Sequence, residues 1–519
     1  MSKSVRNIVI VGGGTAGWIT AGVLAADHIV PNDENSVTIT LIESSDIPII
    51  GVGEGTWPSM RDTLRNMGID EGEFLTECDA SFKQGSKFVN WLREQQHSYY
   101  HPFSLPEKFF QLNLANHWVN ISDKINFSNA VTYQGMLCDH DLAPKQITTP
   151  QYAFAANYGY HLDAGKFSHF LKQHCVDKLG VKHIVDTISD VKQHANGDIA
   201  SVVTNGYGDV TGDLFIDCSG LHGLLLDKVY KVPFVSRRDV LGNDSALAVQ
   251  VPYANQDDII QSATVATAQK NGWIWDIGLQ SRRGVGHVYC SDFCTDTQAE
   301  DTLRKYIAPS MGSKAAENAN IRKLSINPGH RECFWQNNCV AVGMAAGFIE
   351  PLEASAIALV EQSAKFISTQ LPENSDLMPI IAKRFNDKFL DRWQQIIDFL
   401  KLHYVLTQRT DSDYWQDHKN LDNVSDGLKE KLTLWQTRTP YTFDSTATEE
   451  LFPSASYQYV YYGMEGQTRI KFNRKLHSEM QQAQAIFKEN AGKTQKMLSA
   501  LNTNRELLNK IKQYGLAKV

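Results

Sequence analysis

The chain has 519 residues, enough for roughly two to four domains or for one large interlocked α/β body. Hydrophobic residues make up 42% and charged residues 21%, as in ordinary globular proteins. The formal net charge of −8 argues against a nucleic-acid partner, because phosphate binding needs a basic face. The sequence contains no long apolar run and no secretory signal pattern, so we expect no membrane span and a cytoplasmic location. The eight cysteines form no CxxC pair and no zinc spacing, so we expect reduced thiols and no metal site.

The first residues of the chain predict a strand, a glycine turn and a helix. Asn7–Val11 reads NIVIV, a buried strand, and residues 12–17 read GGGTAG. A helix is expected from about Trp18 to Ala26, and a second strand, Val37–Ile42, ends at the acidic Glu43. This order of elements indicates a βαβ unit.

The glycine turn has the spacing of a dinucleotide-binding motif, Gly12-x-Gly14-x-x-Gly17. Gly12 permits the tight turn, Gly14 lets the backbone approach a pyrophosphate, and Gly17 lets the helix pack on the strand. The helix N-terminus would direct its free N–H groups at the phosphates, and Glu43 would accept a hydrogen bond from a ribose hydroxyl. The sequence therefore predicts dinucleotide binding, although this spacing alone does not distinguish FAD from NAD.

Further elements follow along the chain. The first part predicts a glycine- and proline-punctuated loop over 47–58, a helix over about 59–78, an irregular aromatic stretch over about Tyr99–Pro150, a helix over Tyr160–Leu179, a strand over Val181–Val185, a hairpin over Ile188–Val203 that turns at Asn196-Gly197, and a buried strand over Leu214–Asp217. The later part predicts strands of a second sheet at Leu247–Tyr253 and Val285–Ser291, a strand over Cys339–Val342, a helix over Ile357–Leu371, and mostly helices after about Pro372, including the amphipathic stretch Lys475–Tyr514.

Two later turns favour FAD as the dinucleotide. Residues 217–220, reading DCSG, end one buried strand. Residues 342–347, reading VGMAAG, end another and are expected to open a long helix. A second glycine turn before a helix suits a long flavin whose ring system lies across the edge of the sheet, although two ordinary strand–helix turns would give the same pattern. No separate nicotinamide fingerprint follows, so a diffusible flavin reductase is expected to supply the reduced flavin.

Two segments resemble the flavin-dependent tryptophan halogenases. The stretch NGWIWDIG over residues 271–278 resembles the WxWxIP motif of that family, with Gly278 where proline is usual. The stretch ECDASFK over residues 77–83 is similar to the family segment that carries a catalytic lysine, which falls on Lys83.

A third segment, GFIEPLEASA over residues 347–356, resembles the family segment that carries a catalytic glutamate, which falls on Glu353. In this family, backbone amides that correspond to Ser355 and Ala356 hold the halide ion. The loop GVGEGT over residues 51–56 also looks like the strap that joins the flavin site and the substrate pocket in the family.

The resemblance also implies which residues bind the cofactor and the substrate. His101, Phe103 and Trp273 match substrate-pocket positions and would sandwich an electron-rich ring. The cofactor-binding positions are Gly12, Gly14, Thr15, Ala16, Gly17, Glu43, Val52, Gly53, Glu54, Ile188, Asp217, Met344 and Ile357.

The resemblance implies FADH2-dependent halogenation of an electron-rich aromatic substrate of the indole type. In the family, reduced FAD and oxygen give a flavin hydroperoxide, and chloride or bromide attacks it to give hypohalous acid. Lys83 would hydrogen-bond the hypohalous acid or form a haloamine with it. Glu353 would accept the ring proton or stabilise the cationic intermediate.

Other interpretations of these residues stay open at this point. Lys83 and Lys87 lie four residues apart and would also suit one solvated face of a helix. A flavin-dependent aromatic monooxygenase shares the same cofactor chemistry and the same glycine turns. Ala354, Ala356 and Gly278 depart from the family pattern, which is compatible with an FAD-binding protein that has a degenerate, inactive site.

The C-terminal part of the resembling family closes over the substrate. In tryptophan-specific members, acidic, tyrosyl and Phe-Trp residues clamp the amino-acid backbone. The corresponding stretch here, Tyr441–Tyr462, contains Glu449, Glu450 and Phe452, but Pro453 stands where the tryptophan is expected. A zwitterion buried without matched partners loses the water around both charges. We therefore predict that a neutral indole ring is preferred to tryptophan, unless Tyr457, Tyr459 and Glu450 rebuild the clamp by another route.

These patterns together predict an α/β fold. It comprises a glutathione-reductase-like FAD-binding domain with a parallel sheet, a second β-sheet, and a mostly helical C-terminal module. Residues 1–372 are predicted to form the FAD-binding and halogenation domain, with FAD-binding segments at about 1–60, 160–230 and 335–372. Residues 373–519 are expected to close the substrate pocket. A homodimer is one option for the quaternary structure.

Overall fold

The computed structural model of the protein describes residues 3–33, 36–46, 53–444 and 451–518. The strands are β1 (Asn7–Val11), β2 (Thr38–Glu43), β3 (Gly53–Gly55), β4 (Ser81–Lys83), β5 (Gly85–Val89), β6 (Ser98–Pro102), β7 (Gly159–Asp163), β8 (Lys182–Val185), β9 (Ile188–Gln193), β10 (Ile199–Thr204), β11 (Gly208–Thr211), β12 (Leu214–Asp217), β13 (Phe234–Ser236), β14 (Ser245–Pro252), β15 (Thr264–Gln269), β16 (Gly272–Gly278), β17 (Arg282–Tyr289), β18 (Arg322–Ser325), β19 (Gly329–Arg331), β20 (Trp335–Gln336), β21 (Cys339–Ala341) and β22 (Gly347–Phe348). The helices are α1 (Thr15–His28), α2 (Ser59–Asn66), α3 (Glu71–Glu77), α4 (Ala115–Trp118), α5 (Phe127–Val131), α6 (Gln134–Asp139), α7 (Ala164–Asp177), α8 (Asp296–Met311), α9 (Ser313–Glu317), α10 (Ser355–Thr369), α11 (Met378–Val405), α12 (Asp413–His418), α13 (Asp426–Trp435), α14 (Ser454–Gly463), α15 (Arg474–Ala500) and α16 (Asn504–Tyr514).

The chain divides into two compact units, each built from three stretches of sequence. The first unit comprises Met1–Asp79, Leu162–Arg237 and Asn327–Trp393, and the second comprises Ala80–His161, Arg238–Ile326 and Gln394–Val519. The predicted FAD-binding segments fall almost entirely within the first unit. The predicted domain boundary after residue 372 stays a prediction, because the chain passes between the compact units at other points.

The first unit is built around a six-stranded sheet with the order β20-β21-β12-β1-β2-β8. All neighbouring pairs from β21 to β8 are parallel, and only β20 is antiparallel to its neighbour. Strands β1 and β12 are apolar over nearly their whole length, as expected where helices cover both faces of a parallel sheet. The carboxyl ends of β1, β2 and β12 therefore meet at one edge of the sheet, which is where α/β proteins bind ligands.

The second unit contains a seven-stranded sheet with the order β18-β14-β17-β16-β15-β5-β6. Its neighbouring pairs are antiparallel except β15 and β5, which run parallel. Helix α8 covers one face of this sheet, where Leu303 and Ile307 pack in a buried cluster with Leu247 and Ile274. The strand that carries the double-tryptophan motif, β16, is consequently buried over all seven residues.

The predicted fold class is confirmed. The opening βαβ unit, the hairpin that turns at Asn196-Gly197, the buried strand before Cys218 and both second-sheet strands agree with the structure to within a few residues. Among the described residues after Pro372, the elements are helices. None of the described helices is long and apolar enough to span a membrane.

The predicted helix over Tyr160–Leu179 is wrong at its beginning. Residues up to Asp163 form β7, and the helix begins only at Ala164. The reason is local, because the Asp163 side chain caps the helix by accepting a hydrogen bond from the Lys166 N–H at 3.0 Å.

Two further predictions need correction. The stretch Tyr99–Pro150 is not irregular throughout, since most of β6 and the short helices α4, α5 and α6 lie in it. The turn at Gly343 does not open the long helix. A short 3-10 turn and β22 follow it, and α10 begins only at Ser355.

Candidate active site

The glycine turn between β1 and α1 forms a cradle at the edge of the first unit's sheet. Gly12 has φ +115°, and a Cβ there would lie 2.3 Å from the Cys218 carbonyl oxygen. A Cβ on Gly17 would lie 1.9 Å from the Gly12 carbonyl oxygen. By contrast, a Cβ on Gly14 would meet nothing within 4 Å, so this position borders open space. These constraints fit a backbone turn that approaches a bulky ligand closely.

The beginning of α1 also suits an anion. Its N-cap is Gly14, with no side-chain cap and no acidic residue in the first turn, so the positive end of the helix dipole is not neutralised by the chain's own groups there. The Thr15 hydroxyl lies 3.0 Å from the Ser168 hydroxyl, which fixes its rotamer. Ala16 lies beneath Gly343, where a Cβ would come within 2.8 Å of the alanine methyl group. The two predicted glycine turns are therefore in direct contact.

Glu43, the last residue of β2, lies at the same edge. Its carboxylate accepts a hydrogen bond at 2.8 Å from Nε2 of His183, in the neighbouring strand β8. Lys172 of α7 lies 3.7 Å from the same carboxylate oxygen. Sequence reasoning missed His183, because a histidine in a short strand gives no local signal for a contact with another strand. The contact fixes the carboxylate beside Gly13, where a Cβ would collide with it.

The structure places the other predicted cofactor residues in the first unit. The Asp217 carboxylate is fully buried and accepts hydrogen bonds from the N–H groups of Ser219, Leu225 and Leu226. It therefore stabilises the turn after β12, and a contact between Asp217 and a cofactor would use the main chain. The remaining positions are Gly53 and Glu54 in β3, Ile188 at the start of β9, Met344 in the turn after Gly343, and Ile357 in α10, whereas Val52 lies outside the described residues. Burial raises the pKa of Glu54 to about 7.

The segment before α10 has an unusual backbone. Glu353 has φ 63° and ψ 5°, and Ala354 has φ 54° and ψ 44°. Both residues are left-handed although neither is glycine, and each such residue costs roughly 1–3 kcal/mol unless its surroundings hold it. Glu353 is only 7% exposed. The indole N–H of Trp57 donates a hydrogen bond at 2.8 Å to the Glu353 carbonyl oxygen.

The first turn of α10 carries the predicted halide-binding residues. Ser355 is buried and Ala356 is exposed. The N-cap residue, Ala354, makes no side-chain cap, and the first turn holds no acidic residue. The backbone N–H groups at this helix N-terminus are therefore not capped by a side chain of the N-cap residue, as an anion site requires.

In the second unit, Lys83 ends β4 and is fully buried. Its Nζ atom lies 5.3 Å from the centroid of the Phe103 ring, within the range of a cation–π contact. The pairing of β4 with β7 puts Lys83 opposite Gly159, which has no side chain. The alternative of one solvated helical face with Lys87 is wrong, because the two lysines lie on strands β4 and β5. Lys87 forms an ion pair with Asp139 at 2.9 Å.

His161 shares the Lys83 face of the β4–β7 pair, because it lies two residues along β7 from Gly159. Its Nε2 atom lies 2.8 Å from the Thr264 hydroxyl. Burial lowers the pKa of His161 well below its ordinary value, and the positive charge of Lys83 lowers it further. His161 is therefore neutral at pH 7. The sequence analysis missed it because its segment was assigned to a helix, although the alternation in GYHLD was available as a strand signal.

The C-terminal segment holds His101 in place within the second unit. Nε2 of His101 lies 2.9 Å from the Ser456 hydroxyl of α14, and its ring centroid lies 5.6 Å from that of Phe399. Phe399 in turn stacks on Phe452 at 3.8 Å. Sequence reasoning found His101 and Phe452 but missed Ser456 and Phe399, because α11 and α14 are joined to β6 only by long-range packing.

The predicted lid, Tyr441–Tyr462, is described except for residues 445–450, so Glu449 and Glu450 lie outside the described residues. Pro453 precedes α14 as its N-cap. The Tyr459 hydroxyl donates a hydrogen bond at 2.9 Å to the Ser104 carbonyl oxygen, so its proton is already engaged by the backbone. This contact weakens the interpretation that Tyr459 rebuilds an amino-acid clamp.

The double-tryptophan motif lies in the aromatic core of the second unit. The Trp273 ring lies 6.0 Å from Trp91 and 6.5 Å from Trp275. Trp273 is 1% exposed, and its proposed contact with substrate stays a prediction. The Gly278 carbonyl oxygen accepts a hydrogen bond from the Ser81 hydroxyl at 2.5 Å, which fixes the end of the motif to β4, two residues before Lys83.

Comparisons with known proteins identify the family of the chain. The family profile described as tryptophan halogenase matches residues 7–478. The 7-chloro-L-tryptophan 6-halogenase KtzR from Kutzneria sp. (strain 744) is 35% identical over 456 residues, which cover 84% of this chain and 86% of the relative. The crystal structure of a tryptophan halogenase from Shewanella frigidimarina has a TM-score of 0.96 and 50% identity, covering 100% of this chain and 99% of that one. BrvH, a flavin-dependent halogenase from Brevundimonas sp. BAL3, has a TM-score of 0.85 and 27% identity, covering 98% of this chain and 99% of that one. These relatives support neither the monooxygenase nor the inactive alternative.

Proposed function

The chain belongs to the tryptophan halogenase family and is a flavin-dependent halogenase, and from this premise we propose that it uses FADH2, oxygen and chloride or bromide to halogenate an electron-rich ring of the indole type. The observation that carries the proposal is the burial of Lys83 beside an aromatic ring. Lysines are rarely fully buried, and Lys83 combines full burial with its place in the segment that resembles the catalytic-lysine segment of the family.

Lys83 binds and polarises hypohalous acid in this proposal. Its amine hydrogen-bonds the acid and directs the halogen towards the substrate, either directly or after forming a haloamine. The neutral His161 on the same face adds no second positive charge beside the lysine. Because Lys83 is shielded from water, hypohalous acid bound to it is also kept from bulk water, where it would react indiscriminately.

The cofactor site of the proposal is the cradle in the first unit. Gly12, Gly14 and Gly17 leave room for the pyrophosphate at the beginning of α1. Glu43, whose carboxylate is held by His183, would accept a hydrogen bond from a ribose hydroxyl. When bound and reduced, FAD supplies the oxidative chemistry that turns oxygen and halide into hypohalous acid. The cradle would orient FAD, and its glycines leave space that side chains would otherwise fill.

In this proposal, Glu353 and the backbone amides that bind the halide ion also lie in the first unit. The amides of Ser355 and Ala356 hold the halide ion at the N-terminus of α10. The Glu353 carboxylate accepts the ring proton after attack, or stabilises the cationic ring before that proton leaves.

The substrate-binding residues of the proposal lie in the second unit. His101, Phe103 and Trp273 sandwich an aromatic ring in this proposal. Phe452 is already stacked on Phe399, and Tyr459 is bonded to the backbone. Both side chains are thus engaged within the protein, and Pro453 stands where the tryptophan of the clamp is expected, so the proposal favours indole or an indole inside a larger molecule over free tryptophan.

The supply of electrons tests this proposal. We expect the purified chain with FAD, NADH, bromide and indole to give negligible product. Addition of a flavin reductase is expected to start bromination, because the chain has one dinucleotide motif and needs a separate source of reduced flavin. Rapid NADH oxidation by the chain alone, with hydroxylated indole as product, would instead identify a monooxygenase.

A further inference from the structure

The left-handed pair Glu353–Ala354 needs support from its surroundings. Neither residue is glycine, so the conformation persists only where neighbouring groups favour it over an ordinary backbone path. The pair sits between two parts of the proposed machinery, since Glu353 is the proposed base and Ser355 carries the first halide amide. A relaxation of the pair would therefore move both groups.

One support is the indole of Trp57. Its N–H donates to the Glu353 carbonyl oxygen at 2.8 Å, which fixes the peptide group that joins the two left-handed residues. Trp57 follows directly after the strap segment 51–56, and Pro58 is the N-cap of α2. Trp57, just before α2, and the left-handed pair are thus joined by one hydrogen bond within the first unit.

The second support is Glu361, two turns into α10 from the left-handed pair. Its carboxyl oxygens accept hydrogen bonds from the Thr63 hydroxyl at 2.6 Å and from the Ser59 hydroxyl at 3.1 Å. Glu361 is 4% exposed, so these two hydroxyls meet it away from bulk water. Ser59 and Thr63 lie one turn apart on α2, so both bonds fix the rotation of α2 against α10.

The three bonds form one brace. They join the seven-residue segment Trp57–Thr63 to the nine-residue segment Glu353–Glu361 at both ends. With α2 fixed at Glu361, the Trp57 indole has a defined position from which to hold the Glu353 carbonyl. A shift of α2 would move the indole and release the left-handed pair.

We propose that Trp57 and Glu361 are positioning residues for halogenation, which act by holding the Glu353–Ala354 pair in its left-handed conformation. The inference rests on the proposed function for its catalytic consequence, because it acts through the proposed base Glu353 and the amides of Ser355 and Ala356. Neither positioning residue needs to touch the substrate.

A double-mutant cycle with Trp57→Phe and Ala354→Gly tests the first support. Trp57→Phe removes the N–H and keeps the aromatic ring, and we expect kcat for bromination to fall about tenfold with KM for indole changed less than about twofold. Glycine adopts the left-handed conformation without a Cβ clash, so the same change in the Ala354→Gly background should cost less than about threefold. Equal losses in both backgrounds, or no loss at all, would overturn the role of Trp57.

The matched control for this cycle is Trp335→Phe. The Trp335 indole N–H also donates to a backbone carbonyl oxygen in the first unit, that of Asn337, at 3.1 Å. It lies outside both braced segments, 57–63 and 353–361. We expect Trp335→Phe to leave kcat unchanged and to show no coupling with Ala354→Gly. A loss of kcat like that of Trp57→Phe would show that any lost indole bond has this effect, and would overturn the proposal.

Two substitutions of Glu361 test the second support. Glu361→Gln keeps one oxygen that accepts from a hydroxyl, and its –NH2 group can donate to the oxygen of the other hydroxyl, so we expect near wild-type kcat. Glu361→Leu fills the space without any hydrogen-bonding group and should lose about tenfold. The control Ser363→Ala removes a hydroxyl of α10 that donates within the same helix, to the Leu359 carbonyl oxygen. Wild-type activity in Glu361→Leu, or equal losses in Glu361→Gln and Glu361→Leu, would overturn the proposal.

The same variants separate failure of the brace from failure of the proposed function. The Trp57→Phe and Ala354→Gly cycle is also measured by thermal unfolding, where we expect the loss of Tm from Trp57→Phe to be smaller in the glycine background. This coupling does not depend on any reaction. If the wild-type protein makes no halogenated product but the coupling is present, the proposed function fails and the brace stands. If bromination occurs and the coupling is absent, the brace fails.

Discussion

Replacement of Lys83 by methionine removes the amine from the proposed site and leaves its volume filled. Lys83 is fully buried at the end of β4, with Nζ 5.3 Å from the centroid of the Phe103 ring. Methionine has nearly the same length and no charge, so it creates no large cavity and removes a buried cation. We therefore expect the variant to fold and to bind FAD like the wild-type protein, since the dinucleotide cradle belongs to the first unit.

The expected loss follows from the chemistry of a buried donor. A hydrogen bond from a charged group is worth about 1.5–3 kcal/mol, which corresponds to a factor of roughly 10–150 in rate if it is made only in the transition state. We therefore expect kcat for bromination of indole to fall at least about tenfold, and by about 100-fold towards the upper end of this range. The pKa of His161 should rise at the same time, because the charge of Lys83 no longer lowers it.

The assay is reductase-coupled bromination of indole, measured by mass spectrometry and compared at equal FAD occupancy. The chain offers a matched control in Lys145→Met. Lys145 is also fully buried in the second unit, and its amine donates to the Tyr158 hydroxyl at 3.1 Å and lies 5.7 Å from the Phe82 ring. Phe82 points to the face of β4 opposite Lys83, so the control should keep its activity. If Lys83→Met retained more than about a tenth of wild-type turnover, a loss below about 1.4 kcal/mol, Lys83 would not be the key group.

Three further predictions test the cofactor cradle, the buried acid and the lid. Gly14→Ala should fold normally, because its Cβ meets nothing within 4 Å, yet bind FAD at least about tenfold more weakly by equilibrium titration, whereas Gly492→Ala, equally open but in α15, should bind FAD normally. Burial, opposed by bonds from Thr63 and Ser59 and by Lys365 and reinforced by Asp62, raises the pKa of Glu361 from 4.5 to about 8. The folded protein therefore binds an extra proton in that range, and its free energy of unfolding should fall by about 2 kcal/mol as the pH rises from about 6 to about 8, a slope that Glu361→Gln should flatten in denaturant titrations. Indole should have a higher kcat/KM than tryptophan, with attack at the most electron-rich ring carbon; tryptophan turned over faster at a single benzo-ring carbon would show that the lid does hold an amino acid.

The parts of the site that sequence alone predicted are those set by short-range chemistry. The turn from β1 into α1 needs glycines at fixed offsets, and Glu43 is the acidic residue at the end of the next strand, so both could be predicted from the sequence. The contact between Glu43 and His183 was not, because it joins strands 140 residues apart along the chain. Local patterns carry no record of which strands become neighbours.

Lys83 shows the limit more clearly. Its spacing from Lys87 suits a solvated helix, and only the pairing of β4 with β7 shows that Lys83 is buried. The family resemblance identified the residue, whereas residue spacing alone favoured the wrong environment. His161 was missed because the predicted helix began at Tyr160, whereas Asp163 caps the helix and residues 159–163 form a strand.

The left-handed conformation of Glu353 and Ala354 could not be predicted from residue types. Left-handed backbone favours glycine, and the sequence has none at these two positions. The conformation depends on groups that are distant in sequence, of which Trp57 is 296 residues away. Strained segments of this kind are commonly found at functional sites, where tertiary contacts rather than local preference decide the backbone.

The mass of the product made from indole with and without bromide decides whether the chain halogenates an indole ring. With FAD, a flavin reductase, NADH, oxygen and bromide, we expect monobrominated indole with the bromine isotope doublet, formed only when bromide and the reductase are both present. Hydroxylated indole that forms equally well without bromide, or no modified indole under conditions where the protein is folded and FAD is bound, would contradict this expectation.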